Sequence, residues 1–98
     1  MTSSLSIHLQ IGKTYFFRGE FYDEDGEPQS LDDCKFVVRD GTERIIFEKD
    51  VTPIQEGVYE FAYAITKEDG IGVLMIGFEG TIGEQPEATE RVRAERVM

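Results

Sequence analysis

The amino-acid sequence predicts an all-β, antiparallel sandwich of about seven strands. Two observations lead there: apolar residues recur at every second position rather than every third or fourth, and turn-forming residues interrupt them about every eight to twelve residues. The first strand is read from Leu5, Ile7, Leu9 and Ile11, which alternate with polar neighbours until Gly12-Lys13 breaks the run. Tyr15, Phe17, Gly19 and Phe21 restart the alternation, with Arg18 and Glu20 on the opposite face. The segment Asp23-Glu24-Asp25-Gly26-Glu27-Pro28 concentrates turn formers, because Asp-Gly supplies a positive-φ position and proline cannot donate to a ladder. A loop is expected from there to Asp33.

Cys34, Phe36 and Val38 form a third alternating set, closed by Asp40-Gly41, the strongest two-residue hairpin signal in the chain. A fourth strand carries Ile45 and Phe47, and Pro53 and Gly57 mark the next break. Tyr59, Phe61, Tyr63 and Ile65 give the cleanest alternation anywhere and predict a strongly defined fifth strand. Lys67 to Gly72 reads as a polar connector. The continuous apolar run Val73 to Phe78 suits a central strand, in which Gly77 predicts a bulge or the close approach of another backbone. Gly80 to Pro86 reads as a loop. From Glu87 onward the Ala, Glu and Arg content favours a helix in isolation. Val92 and Ala94 nevertheless alternate, and the preceding strand needs a partner, so a strand is expected. Strands of this number and spacing predict an immunoglobulin-like β-sandwich, without the paired cysteines and core tryptophan of antibody domains.

Ninety-eight residues are read as one domain over 1–98, with 40% hydrophobic residues, seven Phe and four Tyr supplying a modest core. Ten basic residues against twenty acidic ones give a formal charge of −10. Such a surface repels a phosphate backbone and an acidic membrane leaflet, so neither nucleic acid nor membrane is expected as a partner. No apolar run approaches the length needed to span a bilayer. The one cysteine, Cys34, lies in an apolar alternation and is read as a buried, inert thiol. The N-terminus lacks a basic segment followed by an apolar stretch of signal-peptide length, which predicts synthesis and residence in a reducing cytoplasm before any assembly.

No catalytic constellation is legible, and an enzyme is not expected. His8 occupies a polar position of the first strand with no nucleophile motif beside it. One His and one Cys cannot build a tetrahedral zinc centre. The run Asp23 to Glu27, followed by Asp32 and Asp33, resembles the start of a calcium loop but lacks the third ligand before its glycine, so no cofactor or metal is expected. Its carboxylates lie in turns, where solvent keeps them out of acid–base work. Arg91, Arg93 and Arg96 alternate with Glu90 and Glu95. That mixed-charge run reads either as protection of a terminal edge strand against pairing or as an arm that docks onto a partner. Aromatic residues Tyr15, Phe16, Tyr22 and Tyr63 supply the material for an alternative reading, a carbohydrate-binding or adhesive accessory module.

The order of motifs Ile11-Gly12-Lys13-Thr14-Tyr15, Asp23 to Gly26, Gly57-Val58-Tyr59-Glu60-Phe61, Gly72 through Ile76, Phe78-Glu79-Gly80-Thr81 and Glu87-Ala88 resembles that of the small immunoglobulin-like structural proteins of tailed bacteriophages and prophages. Where those proteins commonly place Trp and Arg, this chain has Leu74 and Gly77. The resemblance implies a virion component, a head decoration, cement or head–tail neck protein, whose partners are capsid, portal or neck proteins or further copies of itself. It carries over no catalytic residue, and it makes Gly57, Tyr59, Gly80 and Thr81 residues of the fold. Contacts are then expected on exposed loops and edges: Asp23, Asp25 and Glu27 in the acidic turn, the Gly80 to Glu87 segment, and Arg91, Arg93 and Arg96 in the tail.

Overall fold

A computed structural model describes residues 6–66, 72–89 and 92–97, and it is all-β. Eight strands follow in order: β1 (Ser6–Gln10), β2 (Thr14–Glu20), β3 (Asp33–Asp40), β4 (Ile45–Asp50), β5 (Val58–Ala64), β6 (Gly72–Ile82), β7 (Gln85–Ala88) and β8 (Val92–Val97). They form the expected immunoglobulin-like sandwich. The larger sheet runs β1-β8-β6-β3-β4, with β7 also paired to β6, and the smaller consists of β2 and β5 alone. All pairs are antiparallel except β1 with β8, where Ser6 lies opposite Arg93 and Gln10 opposite Val97. The chain crosses from one sheet to the other at Gly12, whose φ of 96° suits glycine and whose N–H donates to the Ile65 carbonyl at 2.8 Å.

Period-two alternation places Leu9, Phe21, Cys34, Phe36, Val38, Tyr59, Tyr63, Ile65, Leu74, Ile76, Phe78 and Ala94 in the buried layer between the sheets. Phe36 lies at its centre, its ring centroid 4.5 Å from that of Phe61, 5.4 Å from Phe78 and 5.6 Å from Phe17. Tyr59 is buried as well, and its hydroxyl accepts the Leu31 N–H at 2.9 Å, so the phenol enters the core without an unsatisfied oxygen.

Cys34 belongs to this layer. Burial, aided by the neighbouring Asp33 charge, pushes its thiol up to about 12, so the neutral form is the one the fold accepts. Because the folded value lies above the unfolded one, this contribution is complete below the unfolded pKa, near 9, and is lost as pH rises from there toward 12. The native chain is therefore expected to resist a disulfide-exchange reagent at pH 8 and to react with one equivalent in denaturant. Rapid stoichiometric labelling of the native chain would contradict the burial.

Four features depart from the sequence reading. Gly80 to Pro86 is mostly ladder: β6 continues to Ile82 and β7 resumes at Gln85, so the turn shrinks to Gly83-Glu84. The tail is a strand as expected, but β8 lies between β1 and β6 rather than at an edge. Its charges therefore do not guard an edge, because both sides of its backbone are paired. At Gly77 the pairing of β6 with β3 runs unbroken from Asp33 opposite Thr81 to Asp40 opposite Leu74. The irregularity lies on the other side of β6, where Glu79 faces Ala88 but Ile76 faces Val92, so the β7–β8 side gains one residue. Thr89 repairs that ladder: its hydroxyl accepts the Phe78 N–H at 2.9 Å and its own N–H donates to the Phe78 carbonyl at 2.9 Å.

The fourth departure is the β3–β4 hairpin. Its positive φ falls on Glu43, at 70°, not on Gly41. The Asp40 carboxylate holds this longer loop, accepting the Thr42 N–H at 2.8 Å, the Thr42 hydroxyl at 2.6 Å and the Arg44 N–H at 3.0 Å. These donors keep the Asp40 carboxyl below its ordinary range. Most of the connector read at 67–72 lies outside the described residues.

Candidate functional site

Two of the segments singled out from the sequence meet at one end of the sandwich. The acidic turn after β2 and the β6–β7 hairpin together line an open groove of about 410 Å3, with Tyr22, Asp23, Glu24 and Asp25 on one wall and Ile82, Gln85 and Glu87 on the other. The stretch from Glu20 to Asp33 contains seven carboxylates and no Lys or Arg, so this end carries a concentrated share of the −10 charge.

The carboxylates do different work. Asp23 is spent on the turn: its Oδ1 accepts the N–H groups of Asp25 and Glu27, each at 2.9 Å, while Gly26, at φ 82°, donates its N–H to the Asp23 carbonyl. Glu24, Asp25 and Glu27 remain exposed, Asp25 lining the groove and Glu27 standing on the turn beside it. Among the described residues no group of three or more His, Cys, Asp or Glu side chains is placed to hold a metal ion.

Asp32 and Asp33 are also spent on structure. Asp33 Oδ1 accepts the Thr81 N–H at 3.0 Å and its hydroxyl at 2.9 Å, and Asp32 Oδ2 accepts the Gly83 N–H at 2.6 Å. The chain entering β3 is thereby tied to the β6–β7 hairpin. From the groove wall Tyr22 donates its hydroxyl to Glu20 at 2.6 Å, and Arg18 bridges Glu20 at 2.9 Å and Glu60 at 3.1 Å. The Tyr22 hydroxyl first, and Arg18 second, hold the Glu20 carboxyl below its usual range, while the Tyr22 phenol moves up in response. All of these groups are exposed to solvent, so the network orients the groove's rim and adds little to stability.

Arg93 and Arg96 lie on β8, opposite Met75 and Gly72 of β6, and Arg91 lies outside the described residues. His8 falls on β1, opposite Glu95 of β8. The four aromatics divide. Tyr15 and Tyr63 are directly paired on the inner face, and Tyr15 uses its hydroxyl to accept the Gln10 N–H at 2.9 Å. Phe16 is 82% exposed and Tyr22 53% exposed, both on the outer side of the small sheet. Six residues of extended chain separate that pair by roughly 20 Å, so they form no shared platform for one sugar ring.

The exposure of Phe16 follows from the alternation that puts it on the face of Arg18 and Glu20. Sequence reasoning missed one feature: an apolar groove opens between β4 and β5, and its only sequence signal is the pair of small residues Ala62 and Ala64 among aromatics.

An acidic, immunoglobulin-like β-sandwich with grooves at two of its margins is the class that fold and surface define. No protein-family model matches the chain, and a comparison with curated proteins finds no match.

Proposed function

We propose that this chain is a non-enzymatic structural protein of a tailed-phage virion, binding capsid, portal or neck proteins as a decoration, cement or head–tail junction component. The observation that carries the reading is the order of motifs from Ile11-Gly12-Lys13-Thr14-Tyr15 to Phe78-Glu79-Gly80-Thr81, which resembles that of small virion proteins. Two positions in those motifs are ones the fold restricts. Gly57 has a φ of 75° with the Phe21 carbonyl oxygen 2.7 Å from where a Cβ would stand, and Gly80 packs on the backbone of Asp33. The exposed acidic end, where the turn at Asp23 to Glu27 meets the β6–β7 hairpin, supports a docking role without chemistry. Repetition around a symmetric shell or ring would add many weak contacts of this kind into firm attachment through avidity.

Mass spectrometry of purified particles from a strain carrying the gene tests the reading. The expected result is stoichiometric presence, with a ratio to the major capsid protein near one for shell decoration and of a few per cent for the neck. Absence from the particle removes this reading and moves the carbohydrate-binding or adhesive module forward. The exposed ring of Phe16 is what favours that second reading, and saturable binding to a glycan array that is lost in Phe16→Ala would establish it.

A further inference from the structure

The two sheets are unequal, and the inequality leaves one strand open. The β4–β5 connection, residues 51–57, contributes no strand, so among the described residues β5 pairs with β2 on one side only. The direction of its backbone groups follows from its ends. Ile65 exchanges hydrogen bonds with the opposite partner, donating to the Lys13 carbonyl at 2.9 Å and accepting the Gly12 N–H at 2.8 Å. Val58 instead faces outward, accepting the Ile54 N–H at 2.8 Å and donating to the Gln55 carbonyl at 2.9 Å. By the alternation of an antiparallel ladder, Glu60, Ala62 and Ala64 share the Val58 direction and present N–H and C=O groups along the open edge. A tight turn covers that edge at Val58, and beyond it no other described residue pairs with the edge.

Beyond Glu60, which bears the charge on this edge, the devices that normally block such an edge are missing among the described residues. The facing margin of β4 carries Glu48 and Asp50, and the free side of β2 carries Arg18 and Glu20. Ala62 and Ala64 are small and uncharged, with no proline between them. Beside them runs the groove of about 370 Å3, lined by Ile46 and Phe47 of β4 and by Phe61, Ala62, Tyr63 and Ala64 of β5, with no charged side chain.

We infer that this edge accepts an extended strand from a partner protein, pairing with the Glu60–Ala64 backbone and placing alternate apolar side chains in the groove. The charge of the chain identifies the partner's other face. Glu60 on this edge is bridged by Arg18 at 3.1 Å and Glu48 of β4 by Lys35 at 3.8 Å, both on exposed surfaces, while the chain as a whole carries a formal charge of −10. A second copy would set that excess of carboxylates against itself. A strand with lysine or arginine between its apolar residues gains from the same charges. The inference rests on the strand edge alone and holds whether or not the partner belongs to a particle.

The test is an NMR titration of the full, isotope-labelled chain with a synthetic peptide of about eight residues alternating valine with lysine. Shifts are expected at the β5 edge and the groove, together with slower amide exchange at Glu60, Ala62 and Ala64. Ala62→Pro removes one edge N–H that points to solvent, and Ala62→Lys adds an edge charge that cannot harm the ladder to β2. Each is expected to weaken binding by about tenfold or more, as is replacement of the peptide's lysines with glutamate. Three results overturn the inference: no shifts at millimolar peptide, binding unchanged by Ala62→Lys, or a dimer in sedimentation of the free chain that Ala62→Lys dissociates, which would make the occupant a second copy. Since the readout needs no particle, it can succeed where the virion assignment fails, and the reverse.

Discussion

Phe36→Ala is expected to cost about 3–5 kcal/mol of folding stability, a large part of the roughly 5–15 kcal/mol available to a domain of this size. Phe36 has no exposed surface, and its ring meets those of Phe17, Phe47, Phe61, Tyr63 and Phe78 within 6.3 Å. These rings come from β2, β4, β5 and β6, so the side chain is where the two sheets are joined. Truncation removes the transfer free energy of the ring and leaves a cavity whose walls are stiff aromatics attached to paired strands, which limits collapse. Urea denaturation measures the loss as a lowered midpoint with an unchanged slope. Phe16→Ala is the control: its ring is 82% exposed, and its removal is expected to shift stability by no more than about 0.5 kcal/mol. A Phe36→Ala loss below about 1.5 kcal/mol would mean that the inter-sheet layer repacks and that the aromatic cluster is not the joint described.

Gly80→Ala is expected to be comparably severe, for an opposite reason. A Cβ at position 80 would run into the Asp33 carbonyl oxygen, with Leu31 Cδ1 at 2.7 Å and the Asp33 carbonyl carbon at 2.9 Å. A flexible side chain could turn away, but a backbone carbonyl cannot. The Asp33 segment is clamped against the same hairpin by its carboxylate on Thr81, by the Asp32 N–H donating to the Thr81 carbonyl at 2.7 Å, and by the β3–β6 ladder itself. Relief requires opening that corner, at an expected cost of about 3 kcal/mol. For a chain of this length the melting temperature should fall by about 12–24 °C. A fall of less than about 5 °C would show that the Leu31–Asp33 segment yields and that the corner is not rigid. The acidic groove would loosen in the same variant, because its β6–β7 wall is held through this contact.

How much of this was legible beforehand differs from element to element. Wherever one face of a strand is buried and the other wet, the sequence must alternate, so β2, β3 and β5 could be read directly, down to Phe36 and Val38 as core. The acidic turn was legible for a similar reason, because Asp and Gly encode local backbone geometry through their own side chains. The hairpin at Asp40 shows where local signals stop: the carboxylate of Asp40 organised a longer loop, and the positive φ moved to Glu43.

By itself, then, the sequence determined the all-β class, the inward residues, the burial of Cys34 and the sign of the surface charge, because each depends on a residue and its near neighbours along the chain. Only the tertiary structure decided which strands lie at edges, since β8 became interior through β1, and β5 stayed open because residues 51–57 add no strand. It also decided that the Asp23 turn and the Glu87 hairpin share one groove. Pairing and proximity of this kind are set by contacts between residues far apart in sequence, and no local period or propensity encodes them.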